Sequence, residues 1–61
     1  MKIDDHFLTL GNVEIDLTAV SAAEFQLDVV NFVVDGAMIT AEYDHKDRDK
    51  ISAAWRAARR R

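Results

Sequence analysis

The alternation of hydrophobic and polar residues along the chain predicts two β-hairpins followed by one helix. The first hairpin signal is Gly11 with Asn12, which separates the alternating segments Phe7–Leu10 and 13–17. Glycine at the first position of a two-residue loop is typical of a type II′ turn. Pairing around this turn leaves one face apolar and the other mostly polar. That division is what a half-buried antiparallel pair requires.

The second hairpin signal is Asp35 with Gly36, which separates residues 29–34 from residues 37–42. Asp-Gly favours a type I′ turn, because both positions tolerate positive φ. Pairing around the turn places Phe32 on the better core face and divides the remaining apolar residues of both segments between the two faces. The sequence therefore predicts a second antiparallel pair with its own core face.

Residues 22–28 fit two interpretations. Their alternation predicts a strand, but Phe25 then has the opposite parity from the core residues of the second hairpin. A bulge near residues 28–30 would turn both sets inward. The alternative is a short helix, because Ser21 and Glu24 form a capping-box pair. We favour the strand, since strand-forming residues dominate and the alternation is regular.

Residues 46–60 predict a helix with a narrow apolar stripe. The stripe repeats at spacings of three and four and consists of Ile51, Ala54, Trp55 and Ala58. Trp55 is its largest side chain and is predicted to anchor the helix. The predicted fold is α+β: one domain of residues 1–61, with a four-stranded antiparallel sheet of two hairpins and one C-terminal helix packed on one face.

Acidic and basic residues are segregated along the chain. Residues 1–45 hold nine carboxylates and one cation, a net charge of −8, whereas residues 46–61 hold seven cations and two carboxylates, a net charge of +5. This asymmetry divides the domain into an acidic hairpin region and a basic helix. A dipolar surface field bears on partners and association rates rather than on the fold.

Size and composition restrict the class of protein. The chain has 61 residues and no cysteine, so it has neither a disulfide framework nor a thiolate metal site. A domain this small is close to the lower limit of independent folding, which leaves a monomer or a homodimer open. Residues 2–6 are too acidic for a signal peptide, and no apolar run can span a bilayer. We expect a cytoplasmic protein without membrane contact.

The sequence gives no pattern for catalysis. His6 and His45 have no zinc-ligand spacing, and neither Ser21 nor Ser52 has a histidine base nearby in the sequence. Two glycines are too few for a phosphate-binding loop. The sequence therefore predicts a protein that is not an enzyme, with no metal and no cofactor.

A set of carboxylates is predicted on the open face of the sheet, opposite the helix. The set is Asp5, Glu14, Asp16, Glu24, Asp28 and Glu42. Adjacent strands are about 4.8 Å apart, and same-face residues are about 7 Å apart along a strand. These spacings resemble those of nucleic-acid phosphates, so the face can fit a basic groove built for DNA or RNA. The alternative is a solvated face that keeps a small domain soluble.

Exposed apolar residues are predicted beside these carboxylates, and they favour an interface over a merely solvated face. They are Phe7, Val29, Val33 and Met38.

The C-terminal arginines offer a competing site. They are Arg56, Arg59, Arg60 and Arg61. Guanidinium groups suit phosphates, but a net charge of −3 for the whole chain weighs against direct nucleic-acid binding. Positive charge at a helix C-terminus also complements the helix dipole without any partner. We therefore rank direct nucleic-acid binding below binding to a protein partner.

In profile the chain resembles small phage-encoded inhibitor proteins, the anti-CRISPR class among them. The shared features are 61 residues, no cysteine, acidic residues from Asp4 to Asp44 and no catalytic constellation. The resemblance implies stoichiometric blocking of a nucleic-acid-handling complex in the host cytoplasm, in some cases by mimicking DNA. The arginine-rich end departs from a pure mimic and favours a two-sided contact. The competing hypotheses are a nucleic-acid-binding or regulatory module and a small phage assembly subunit.

Overall fold

The computed structural model describes residues 1–60 as two three-stranded antiparallel sheets and one helix. The first sheet contains β1 (Lys2–Asp4), β2 (Phe7–Leu10) and β3 (Val13–Asp16). The second contains β4 (Val20–Phe25), β5 (Val29–Val34) and β6 (Ala37–Glu42). The helix α1 spans Arg48–Arg59. Single 3₁₀ turns at Leu17–Ala19 and His45–Asp47 join the first sheet to the second and β6 to α1.

The prediction of one four-stranded sheet was wrong, although the α+β class was right. It lacked β1, and it treated β4 as part of the strand that continues into β5. Strand β1 is only three residues long and fully exposed, so it has no buried alternation to reveal it. The turn from β1 to β2 contains no glycine and instead places Asp5 at φ 55°. With β1 and β4 as separate strands, each predicted hairpin supplies two of the three strands of its own sheet.

Both predicted hairpins and their registers are confirmed. Leu8 lies opposite Ile15 in the first sheet, and Phe32 lies opposite Ile39 in the second. The φ angles are +58° at Gly11, and 53° and 81° at Asp35 and Gly36. Two successive positive φ values are those of a type I′ turn, which splays the strands least.

The segment around Phe25 is a strand, as favoured, and not a helix. The chain turns at residues 26–28 instead of bulging at residues 28–30, and the turn is closed by a 2.9 Å hydrogen bond from the Gln26 amide to the Val29 carbonyl. Phe25 consequently lies opposite Val30, on the same core-facing side. The register is irregular at the other end of β4 instead, between Val20 and Ala22.

Both sheets and the helix bury one common core. Its fully buried large side chains are Phe32, Leu8, Leu17, Ile51 and Val30. The predicted helix stripe is confirmed: Ile51 and Ala58 are buried, and Ala54 and Trp55 pack against the core while partly exposed. The Trp55 indole Nε1 also donates a 3.2 Å hydrogen bond to the Val20 carbonyl. The helix is thus fixed to the segment that joins the two sheets.

Tyr43 joins the end of β6 to the turn between β4 and β5. Its hydroxyl donates a 2.5 Å hydrogen bond to the Gln26 carbonyl, and its amide donates a 3.0 Å bond to the Asp28 carbonyl. Its ring meets the Phe25 ring edge-on, with centroids 5.8 Å apart. This one residue therefore holds Asp28 close to the chain that leaves β6.

We expect Tyr43→Phe to lower the free energy of unfolding by about 1 kcal/mol, because the Gln26 carbonyl loses a donor at a largely buried position. Urea denaturation followed by circular dichroism measures the change. An unchanged midpoint would show that this hydrogen bond does not stabilise the turn.

Candidate partner-binding groove

Four carboxylates line a depression of about 580 Å³ beside the segment that joins β6 to α1. They are Asp28, Glu42, Asp44 and Asp47, and we call this depression the acidic groove. Its other lining residues are Met1, Leu10, Gly11, Tyr43 and His45. No lysine or arginine among residues 1–60 lines it. The depression is therefore a locally negative surface on an apolar and backbone floor.

The backbone beneath the acidic groove is fixed by hydrogen bonds. Asp28 is held through its carbonyl by the Tyr43 amide at 3.0 Å, and Glu42 ends β6 opposite Val29. Neither the Asp28 nor the Glu42 side chain has a hydrogen bond or ion pair within residues 1–60. Both side chains are exposed. Both side chains therefore project into solvent from hydrogen-bonded backbone.

Asp44 and Asp47 were not in the predicted acidic set, yet they complete the groove. Asp44 does cap the 3₁₀ turn, accepting a 3.1 Å hydrogen bond from the Lys46 amide. Asp47 precedes α1 but makes no side-chain cap. The density of carboxylates from residue 42 to residue 49 is the sequence signal that could have indicated them.

Lys46 pairs with one carboxylate of the groove. The Lys46 Nζ is 3.6 Å from the Asp44 carboxylate, and these side chains are 81% and 55% exposed. Exposed pairs of this kind contribute little and are screened by salt. The charge of the groove therefore stays negative.

The predicted acidic residues do not share one face, because they lie on two sheets and their turns. Asp28 and Glu42 reach the acidic groove. Asp5 and Asp16 flank His6 at one end of the first sheet, and Glu14 lies opposite Thr9 on the exposed face of β3. Glu24 lies on the outer face of the second sheet. The structure thus separates the predicted set into three locations.

Glu24 is occupied by hydrogen bonds within its own sheet. Its Oε1 accepts hydrogen bonds from the side-chain amide nitrogens of Gln26 at 3.2 Å and Asn31 at 3.1 Å. Asn31 in turn accepts a 2.6 Å bond from the Thr40 hydroxyl. These residues form a polar row across β4, β5 and β6. Glu24 therefore contributes to sheet pairing, unlike the carboxylates of the groove.

The predicted exposed apolar residues are also divided between the sheets. Phe7 is 40% exposed on the first sheet, and Met38 is 66% exposed on the second. Val29 and Val33 are partly buried on the second sheet. Met38 and Val33 form an apolar row with Ala22 beside a shallow depression of about 190 Å³.

Local contacts stabilise the charge of the Asp16 side chain. The Thr18 hydroxyl donates to it at 2.6 Å and the Thr18 amide at 3.0 Å. The His6 ring lies between two carboxylates, 2.9 Å from Asp5 and 3.7 Å from Asp16. The Thr18 hydroxyl lowers the pKa of Asp16 most. Desolvation has the next largest effect on this pKa and raises it, whereas the Thr18 amide and the charge of His6 lower it further.

We expect Thr18→Val to raise the pKa of Asp16 towards its ordinary value of 3.8. A carboxyl with a lowered pKa stabilises the fold above its ordinary pKa and loses that contribution as the pH falls through the lowered value. The variant should therefore be less stable than the wild type at neutral pH, and the difference should shrink below pH 3.8. An NMR titration of the Asp16 carboxyl measures the pKa, and an unchanged pKa would contradict the assignment.

Three of the four arginines of the predicted basic site lie close together in the structure. Arg56, Arg59 and Arg60 line a depression of about 270 Å³ at the C-terminal end of α1. The fourth predicted arginine, Arg61, lies outside the described residues. This depression and the acidic groove lie at opposite ends of the helix.

Three further observations bear on function. No cluster of three or more histidine, aspartate or glutamate side chains among residues 1–60 is arranged to bind a metal. The described part of the chain contains no helix with the length and apolarity to cross a membrane. No model of a known protein family matches the chain, and neither a curated protein nor a solved structure matches it.

Proposed function

We propose that the protein is a small, non-enzymatic inhibitor that binds a nucleic-acid-handling protein complex. In this proposal the acidic groove meets a basic surface on which the complex otherwise holds nucleic acid. The observation that carries the proposal is the convergence of four carboxylates on one depression with no arginine or lysine lining it.

Charge complementarity is the physical basis of the proposed contact. A basic surface that binds nucleic acid is complementary to a dense array of negative charges. The groove offers such an array on hydrogen-bonded backbone, so little loop ordering is required on binding. Its uncompensated charge also steers association with a positive partner. An anti-CRISPR-like mode of action, by charge mimicry, is consistent with these features.

The test is capture of a partner on the immobilised chain, followed by competition with nucleic acid. The chain is incubated with a lysate of its bacterial host, and excess DNA duplex is then added to the washed resin. We expect the captured protein to be a nucleic-acid-binding protein that the duplex releases, because chain and duplex occupy the same surface.

The same captured protein provides the control. Adding the free chain should lower its affinity for nucleic acid in proportion to the chain concentration. A captured protein that stays bound in excess duplex, and whose nucleic-acid binding the chain does not change, would contradict the proposal.

A further inference from the structure

Three arginine side chains converge at the C-terminal end of α1. Arg56, Arg59 and Arg60 are three and four positions apart, so they lie on one side of the helix end. Together they line the depression of about 270 Å³, and no other residue of the described chain lines it. Three guanidinium groups therefore border one small surface.

Two of these arginines are held in place by neighbours. The Arg59 guanidinium lies over the Trp55 ring, 5.1 Å from its centroid. Trp55 is itself fixed by its hydrogen bond to the Val20 carbonyl. Arg56 donates a 3.0 Å hydrogen bond to the Ser52 hydroxyl one turn earlier. Binding through these side chains therefore costs less conformational entropy than binding through free arginines.

The charge of this surface is not neutralised by the fold. Within residues 1–60, none of the three arginines forms an ion pair with a carboxylate. The C-terminal end of a helix carries roughly half a negative charge, which opposes an anion. Three guanidinium groups outweigh that partial charge several times. The surface is therefore net positive.

We propose that this arginine surface binds the phosphodiester backbone of nucleic acid. Guanidinium groups form paired hydrogen bonds with phosphate oxygens. Because the Arg59 guanidinium lies over the Trp55 ring, that face of the ring is occupied and does not stack on a base. The contact is therefore with phosphates and independent of base sequence.

This inference goes beyond the proposed function, which uses the acidic groove. The helix of 12 residues separates the two surfaces by roughly 17 Å at 1.5 Å per residue. That distance is about two Debye lengths at physiological ionic strength, so the two surfaces act independently. Loss of either activity leaves the other to be measured.

The test is the binding of the full chain to a labelled DNA duplex, followed by fluorescence anisotropy at low and moderate salt. Three phosphate contacts predict a loss of affinity of about 40-fold between 50 and 200 mM salt. Trp55 is the only tryptophan, so its emission should change on binding and locate the contact beside Arg59.

Charge-matched variants identify the residues. The double variant with Arg56→Gln and Arg59→Gln should reduce the salt dependence of duplex binding by about two contacts. The control with Lys2→Gln and Lys50→Gln removes the same charge elsewhere and should leave the salt dependence unchanged. Arg60→Gln removes one phosphate contact and leaves the packing of Trp55 unchanged, so it should reduce the salt dependence by about one contact. Circular dichroism verifies the fold of each variant.

Competitors distinguish the source of the anion. Inorganic phosphate and polyglutamate are added at the same total charge as the duplex. Weak competition by both supports a phosphodiester backbone. Equal competition by inorganic phosphate would overturn the nucleic-acid assignment in favour of a single phosphate group. Equal competition by polyglutamate would overturn it in favour of an acidic protein. No duplex binding at low salt, or an unchanged salt dependence in the arginine variants, would also overturn it.

Discussion

Phe32→Ala is expected to remove most of the protein's stability at room temperature. Phe32 is fully buried at the centre of β5, between Ala23 of β4 and Ile39 of β6. Truncating a buried phenylalanine costs about 3–5 kcal/mol, from lost apolar burial and the cavity left behind. A 61-residue domain has a total stability of about 3–9 kcal/mol at typical values per residue. The substitution therefore removes most of the stability.

Denaturant unfolding followed by circular dichroism measures this effect. Met38→Ala is the matched control, because Met38 lies on the outer face of the same sheet and is 66% exposed. It should change the free energy of unfolding by no more than about 0.5 kcal/mol. Equal effects of the two substitutions would show that the core does not lie on the Phe32 face of the second sheet.

The second large effect is expected for charge reversal in the acidic groove. Asp28→Lys with Glu42→Lys should weaken binding to the partner by at least about 100-fold, or about 2.7 kcal/mol, because two attractions become two repulsions. The fold should be retained, since both side chains are exposed. Kinetic binding measurements on the captured partner should show slower association at low salt.

Asp4→Lys with Glu14→Lys is the matched control for this reversal. Both residues are exposed on the first sheet, and the change in net charge is the same. We expect a much smaller loss of affinity. If this pair abolishes binding while the groove pair does not, the partner binds the first sheet and the acidic groove is not the site.

Much of the fold was predictable because its strongest signals are local. Turn residues and two-residue alternation fix the registers of two hairpins, and Leu8 opposite Ile15 follows from Gly11 alone. Strand β1 was not predictable in the same way. It contains only one apolar residue, Ile3, and forms through pairing with β2 rather than through burial. Tertiary pairing of this kind leaves little trace in the sequence.

The position of Phe25 shows how one turn changes the architecture. Treated as part of the strand that continues to Val34, Phe25 has the wrong parity and requires a bulge. Reversing the chain at residues 26–28 corrects the parity and creates β4 as a separate strand. The turn contains no glycine or proline, so no local signal in the sequence predicted it.

The candidate site was predictable in its chemistry but not in its composition. An excess of carboxylates in the hairpin region indicated an acidic surface, and Asp28 and Glu42 belong to it. Its other members, Asp44 and Asp47, come from the connection to the helix. Bringing these four together depends on Tyr43 tying that connection to the β4–β5 turn. A long-range contact of this kind is visible only in the folded chain.

The most direct test of the proposed function is the displacement of a labelled duplex from the captured partner. The chain is titrated into the preformed partner–duplex complex, and anisotropy reports the fraction of duplex released. We predict stoichiometric release by the wild type and none at the same concentrations by the variant with Asp28→Lys and Glu42→Lys. Equal release by both proteins, or binding of the chain without any release, would contradict the assignment of the acidic groove.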